Sequence, residues 1–399
     1  MKTILNIRGV KMIIGIPKEI MPGERRIAAS PETVEKMVKD GLSVLVEVQG
    51  GEGSFYHDPE YVAAGAELVD DVSDIYERSD VILKVKEPLF NKEKNKHEVD
   101  MMKEGQTLIT FIHPAAPINH DMVKRLAAKG VTSLTLDGIP RITRAQTMDA
   151  LTSMSTCAGY KGMLIAVNEL PHFAPQIFTA VGMIKPINVL VVGVGVAGLQ
   201  SIATAKRLGA VVYAADIRPA AAEQAMSLGC KIIDLEVPAN EAVGEGGYAL
   251  ALSEDRLKKE RKILAEHVKD MDIIILSALV PGKLAPNIIT EEMVKSMKNG
   301  AAIVDISIDQ GGNCEITPPG VIETKHHVTL IGIKNIPGLL PTSSTWMFSQ
   351  NVYNLLEYLV KDGEIHLDLD DPIIQSSLTT YKGEVVHQGA LEAFAALGH

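Results

Sequence analysis

Apolar residues along this chain come in short, near-continuous runs separated by stretches with helical spacing. Runs at 12–16, 43–48, 66–69, 81–85, 107–112 and 131–136 read as strands buried on both faces, because a half-exposed strand would alternate. Helices fit between them at 30–39, 59–65 and 119–129. The first has an N-cap and first-turn signature in Ser30, Pro31 and Glu32, and Asp40 with Gly41 stops it. Strand followed by helix, repeated, predicts a parallel sheet covered on both faces.

The second half repeats the pattern. A long helix is predicted from 146 to about 170, bridging into a second domain, and 178–184 reads as a short hairpin with Gly182 in its turn. Strands follow at 189–192, 211–215, 273–276 and 302–306, with helices at 257–268 and 291–297. A helix at 345–360 returns to the first domain, and 365–369 alternates as a strand.

The strand at 189–192 runs straight into Gly193, Gly195 and Gly198, in G-x-G-x-x-G spacing, and then into a helix. The next strand ends on Asp216. This is the sequence form of a dinucleotide-binding βαβ unit. Gly193 permits the tight turn, Gly195 lets backbone approach a pyrophosphate, and Gly198 lets helix and strand pack closely. The helix head offers N–H groups and a positive dipole end to the phosphates. Asp216 can accept from both ribose hydroxyls, which favours NAD, although Arg218 nearby blurs that preference. The fold class is therefore α/β, with two doubly wound, Rossmann-like parallel-sheet domains and a cleft between them. The first domain is discontinuous, 12–145 plus 342–399, and the nucleotide-binding domain is 146–341. Ligands in such sheets sit at the carboxyl ends of the strands.

Composition narrows the partners. A net charge of −11 over 399 residues argues against nucleic acid and against docking to anionic lipid by charge alone. Aromatics are only 4% against 46% hydrophobic residues, a balance common in α/β proteins. Cys157, Cys230 and Cys314 lack metal-ligand or C-x-x-C spacing and read as buried, reduced thiols; no metal site is predicted. No apolar run approaches the roughly 20 residues that cross a bilayer, so no direct membrane insertion is expected. Residues 1–11, broken by Arg8 and Lys11, have no signal-peptide cleavage pattern, and Met12 opens the first strand.

Two constellations can carry chemistry. Arg26, Lys86, His113 and Asp309 all fall at strand ends or just beyond them. Arg26 and Lys86 can clamp a carboxylate, while His113 and Asp309 can exchange protons during hydride transfer to an amino or hydroxy acid. The plain alternatives are surface pairing of Arg26 and Lys86 with Glu24 and Glu87, a strand-capping His113 and an Asp309 that only supports a glycine turn. The second constellation opens the long helix. Gln146, Asp149 and Thr152 are spaced by three and would share one helical face, able to hydrogen-bond a carboxamide or ribose. The alternative there is capping of a helix start.

The run Arg-Ile-Thr-Arg-Ala-Gln-Thr-Met-Asp-Ala-Leu at 141–151, with Ala158, Gly159 and Tyr160, resembles the NAD(H)-binding component of proton-translocating NAD(P) transhydrogenases. So do the glycine turn with Gln200, the Gly-Gly-Tyr-Ala stretch at 246–249, Ala-Leu-Val-Pro-Gly-Lys at 278–283, Gly-Gly-Asn-Cys-Glu at 311–315 and Leu-Pro-Thr-Ser-Ser at 340–344. The resemblance runs nearly the whole length from Met12. It implies that Arg141, Gln146, Asp149 and Thr152 surround the NAD ribose and nicotinamide, with Arg141, Gln146 and Asp149 at the hydride-transfer end. Val196 would lie on the pyrophosphate turn, Asp216 with Ile217 and Arg218 at the adenosine ribose, and Leu279 against the nucleotide. Gly247 and Tyr248 would form a lid.

Hydride would pass directly from NADH to NADP(H) held by a partner subunit. The chain would be a homodimeric, soluble split subunit, cytoplasmic and peripheral to the membrane through membrane-embedded transhydrogenase subunits. Alanine dehydrogenase is similar in fold and in the 278 and 305 stretches. Lys86, His113 and Asp309 are closer to that enzyme's pattern, which keeps an amino-acid dehydrogenase acting alone as the alternative.

Overall fold

A computed structural model describes residues 12–244, 249–280 and 284–397. The chain divides into two compact units, Met1–Met154 with Leu340–His399 and Ser155–Leu339.

In the first unit a sheet of eight strands runs in the order Glu384–Val385, Leu378–Tyr381, Thr132–Thr135, Thr107–Thr110, Val81–Leu83, Ile13–Ile16, Ser43–Glu47, Glu67–Val69. The six strands from the N-terminal segment pair in parallel. The two C-terminal strands are antiparallel and extend its edge, so the sheet is mixed rather than wholly parallel. Thr379 and Thr380 are buried there, and polar side chains survive burial because their hydroxyls are bonded. The Oγ1 of Thr380 donates to the Val131 carbonyl at 2.7 Å.

Helix Pro31–Lys39 opens as expected. The Ser30 hydroxyl accepts from the Thr33 N–H, and the Thr33 hydroxyl accepts from the Ser30 N–H, a reciprocal cap. The strand expected at 365–369 is only Glu364–Ile365, paired with Val360–Lys361 in a small ribbon.

The second unit holds a sheet of seven strands in the order Lys231–Ile232, Val211–Ala215, Asn188–Val192, Ile273–Leu276, Ala302–Asp305, Val328–Ile331, Ile322–Lys325. All pair in parallel except the last. Its runs are continuous because alternate residues enter different cores. Val189, Val191, Ile273 and Ile275 join one cluster, while Leu190, Val192, Ile274 and Leu276 join the other.

The long helix differs from expectation. Residues Thr143–Met148 form a 3-10 turn, and the α-helix is Ala150–Asn168. Asp149 makes the break: its Oδ1 accepts from the Thr152 N–H at 2.8 Å and its Oδ2 from the Thr152 hydroxyl at 2.6 Å. The hairpin is present as Ile177–Thr179 paired with Gly182–Ile184, its turn at 180–181 rather than at Gly182. Among the described residues no helix is long and apolar enough to cross a membrane.

Candidate functional site

The glycine turn lies between strand Asn188–Val192 and helix Val196–Arg207. Gly193 has φ +84°, and a Cβ there would lie 2.6 Å from the Ala278 nitrogen. A Cβ on Gly198 would lie 2.1 Å from the Gly193 carbonyl oxygen. Both positions therefore exclude side chains for reasons internal to the fold. Gly195 differs: a Cβ there would meet nothing within 4 Å. Packing does not demand this glycine, whereas a ligand approaching the helix head would. Half-buried Val196 is the first residue of that helix.

Asp216 follows the next strand, but its carboxylate is already engaged. Oδ2 accepts from the Val194 N–H at 2.6 Å, and Oδ1 accepts from the Arg218 N–H at 2.8 Å. Arg218 grips both oxygens, with Nε at 3.0 Å and Nη2 at 2.9 Å. The simple picture of an Asp216 open to two ribose hydroxyls is thus corrected: a ribose must share or displace Arg218. Ile217 packs on the adjoining core. Glu260, on helix Glu254–Val268, is buried close enough to Asp216 to feel its charge. Burial and then Asp216 push its carboxyl up to about 7. Sequence reasoning missed this residue, which sits among charged neighbours on a polar helix. Leu279 is partly exposed beyond Ala278. Gly247 and Tyr248 lie outside the described residues.

In the first unit the 3-10 turn Thr143–Met148 is pinned from several sides. Ala145 and Met148 are buried, Asn351 and Asn354 donate to the Thr147 carbonyl, and Arg144 pairs with Asp371, which also binds Tyr358. Arg141 and Gln146 are exposed on this rigid turn. The expected single helical face of Gln146, Asp149 and Thr152 does not form. Asp149 and Thr152 bond to each other at the helix start, and Gln146 stands on the turn before it.

The alternative set also resolves. Arg26 is no surface cation: its side chain is buried with that of Glu24, bound through Nε at 2.8 Å and Nη2 at 2.6 Å. Strand Val81–Leu83 ends earlier than expected, so Lys84, not Lys86, turns inward. Fully buried, Lys84 binds Glu98 at 2.9 Å and Glu19 at 3.3 Å. Lys86 is half-buried.

His113 has φ +49° and stacks flat on Phe111. Its Nδ1 meets Asp137 Oδ1 at 2.6 Å, and its N–H donates to Asp137 Oδ2 at 2.7 Å. Burial opposes the imidazolium, but the Asp137 charge outweighs it and raises the His113 pKa. Burial likewise opposes the Asp137 carboxylate, and His113 with Thr135 brings it down to about 2. Asp309 is exposed and belongs to the second unit, within a 3-10 turn, while Arg26, Lys86 and His113 belong to the first. Among the described residues no cluster suits a metal ion.

The parallel sheet and glycine turn make the second unit a Rossmann-like domain. The chain belongs to the alanine dehydrogenase/PNT family: residues 15–158 match its N-terminal domain and residues 162–388 its C-terminal domain. It is 41% identical over 379 residues to an NAD(P) transhydrogenase subunit alpha of Rhodospirillum rubrum, covering 94% of this chain and 98% of that one. The alanine dehydrogenase of Staphylococcus saprophyticus is 31% identical, covering 96% of each chain. The crystal structure of transhydrogenase from Sinorhizobium meliloti superposes with a TM-score of 0.81 at 36% identity, covering 94% of this chain and 100% of that one.

Proposed function

We propose that this chain is the NAD(H)-binding subunit of a proton-translocating NAD(P) transhydrogenase, an oxidoreductase that works with partner subunits. The observation that carries nucleotide binding is the open space at Gly195 on the head of a helix that follows a buried strand. The choice of transhydrogenase over dehydrogenase is supported by 41% identity to a transhydrogenase subunit against 31% to an alanine dehydrogenase.

The bound cofactor supplies the hydride: NADH is oxidised as NADP, held by the partner, is reduced, with no side chain needed as acid or base. The chain's own residues bind and orient. The helix head and glycine turn take the diphosphate, and Asp216, Ile217 and Arg218 take the adenosine ribose. Leu279 lies against the nucleotide, and Gly247 with Tyr248 closes over it. Arg141, Gln146, Asp149 and Thr152 align the nicotinamide end, where rigid placement matters most because misalignment is costly in rate. The turn that carries Arg141 and Gln146 is suited to that task by its anchors. Membrane-embedded partners couple the transfer to proton movement and hold this subunit at the cytoplasmic face.

The same reading includes a homodimer. The Ile177–Thr179/Gly182–Ile184 hairpin joins no larger sheet and exposes Phe178, Val181 and Met183, and an isolated ribbon of this kind is unstable unless covered.

A second reading, NAD-dependent alanine dehydrogenase acting alone, is favoured by one observation: the His113–Asp137 pair at a strand end in the unit that also holds Arg26 and Lys86. The pure chain given NAD and L-alanine separates the two. We expect NADH binding but no NADH formation; brisk NADH formation that His113→Ala abolishes would establish the second reading instead.

A further inference from the structure

Asn313 is fully buried, and nothing in its sequence context marks it as functional. Its side-chain amide mimics a length of backbone. Oδ1 accepts from the Ala278 N–H at 3.0 Å, while Nδ2 donates to the carbonyls of Ala278 at 2.9 Å and Pro286 at 2.8 Å. Both of its donors and its acceptor oxygen are engaged. The main chain of Asn313 is held as firmly. Its N–H donates to buried Asp305 Oδ2 at 2.7 Å, and its carbonyl accepts from the N–H groups of Ile288 and Ile289. One residue thus ties together the end of strand Ala302–Asp305, the segment after strand Ile273–Leu276 and the stretch at 286–289.

The segment it clamps is the wall against which the glycine turn rests. A Cβ on Gly193 would lie 2.7 Å from the Ala278 Cα as well as 2.6 Å from its nitrogen, so the two backbones are in direct contact. Ser277 adds a bond from its hydroxyl to the Gly193 carbonyl at 2.7 Å. Any shift of Ala278 must therefore move Gly193, and with it the turn that leads into helix Val196–Arg207. The first N–H groups of that helix lack intrahelical partners and are the groups an anion would meet.

We propose that Asn313 is a positioning residue for the diphosphate of a bound dinucleotide, acting through Ala278 and Ser277 on Gly193. The proposal rests on the nucleotide-binding reading above. Pre-organised donors bind an anion more tightly than donors that must be ordered on binding, so loosening the wall weakens diphosphate binding selectively. A nucleoside without phosphates does not use the turn and is spared.

The test titrates the full-length chain with NADH, ADP-ribose and adenosine, and records thermal unfolding alongside. Wild type binds NADH; if it does not, the nucleotide reading itself falls, and this proposal with it. Asn313→Ala should unfold cooperatively, bind NADH and ADP-ribose about tenfold more weakly, and bind adenosine as wild type does. A folded Asn313→Ala that binds NADH within about twofold of wild type overturns the proposal while leaving the nucleotide reading intact. So does an adenosine loss as large as the NADH loss. If Asn313→Ala does not fold, Ser277→Ala decides by the same comparison: a loss confined to the phosphate-bearing ligands supports the proposal, and unchanged NADH affinity overturns it.

Discussion

Arg218 and Asp216 hold each other two residues apart, through Arg218 Nε and Nη2 on the two carboxylate oxygens, while Asp216 also takes the Val194 N–H. The acid that would receive the adenosine ribose is thereby fixed, and a cation is bound beside it. A 2′-phosphate entering this place would meet a carboxylate and an arginine already spent on it. Wild type is expected to prefer NADH over NADPH. Asp216→Ala releases Arg218 from Asp216, so NADH should bind more weakly, NADPH more tightly, and the preference should shrink by about tenfold or more. Calorimetric titration of both nucleotides checks this, and an unaltered ratio would contradict it.

The His113–Asp137 pair predicts a pH signature in stability. Asp137 is depressed to about 2 from its ordinary 3.8, so its contribution is present above 3.8 and lost as pH falls through about 2. His113 is raised above its ordinary 6.5, so its contribution is complete below 6.5 and lost as pH rises through the elevated value. The pair therefore stabilises most between 3.8 and 6.5. The melting temperature gap between wild type and His113→Gln should be larger near about pH 5 than near about pH 9. A gap that grows towards alkaline pH would refute the assignment.

Lys84 stands fully buried between Glu19 and Glu98, and Tyr76 donates to Glu98 at 2.8 Å. Two carboxylates share one ammonium. Burial therefore dominates at Glu19 and lifts it to about 7, while at Lys84 the two acids overcome burial and raise the pKa. Lys84→Met strands the acids and should cost about 3–5 kcal/mol in denaturant unfolding. Adding Glu98→Gln to that variant should recover part of the loss, and no recovery would count against the network.

Gln146 is exposed on a turn whose anchor is the Arg144–Asp371 pair. Gln146→Ala should leave the melting temperature unchanged and lower hydride transfer by about tenfold or more, with a smaller effect on NADH affinity. Arg144→Ala should lower transfer too, by loosening the turn, and should also lower the melting temperature. Single-turnover transfer rates measured beside NADH affinities separate the two effects.

The nucleotide-binding unit was legible because its signals are local. A buried strand, a turn that only glycine tolerates at Gly193, a helix and an acid follow one another within one short stretch. What sequence reasoning misplaced depended on one-residue details or on distant partners. Asp149 caps Thr152 and so ends the turn one residue before the helix, which removes the helical face that spacing by three suggested. Strand Val81–Leu83 stops early, and the inward lysine becomes Lys84 rather than Lys86. Thr379 and Thr380 look like loop residues until their hydroxyls find Val131, Ser133 and Ser377. Asn313 acts on Ala278 across a large separation in sequence, which no local pattern reveals.

The most direct test follows a labelled hydride. The chain is loaded with NADH deuterated at the transferable position and mixed with an NADP-binding transhydrogenase component and NADP. Direct transfer between nucleotides predicts deuterium in the NADPH and none released to water, with no turnover by the chain alone. Deuterium lost to solvent, or NADH formed briskly from NAD and L-alanine without any partner, would contradict it.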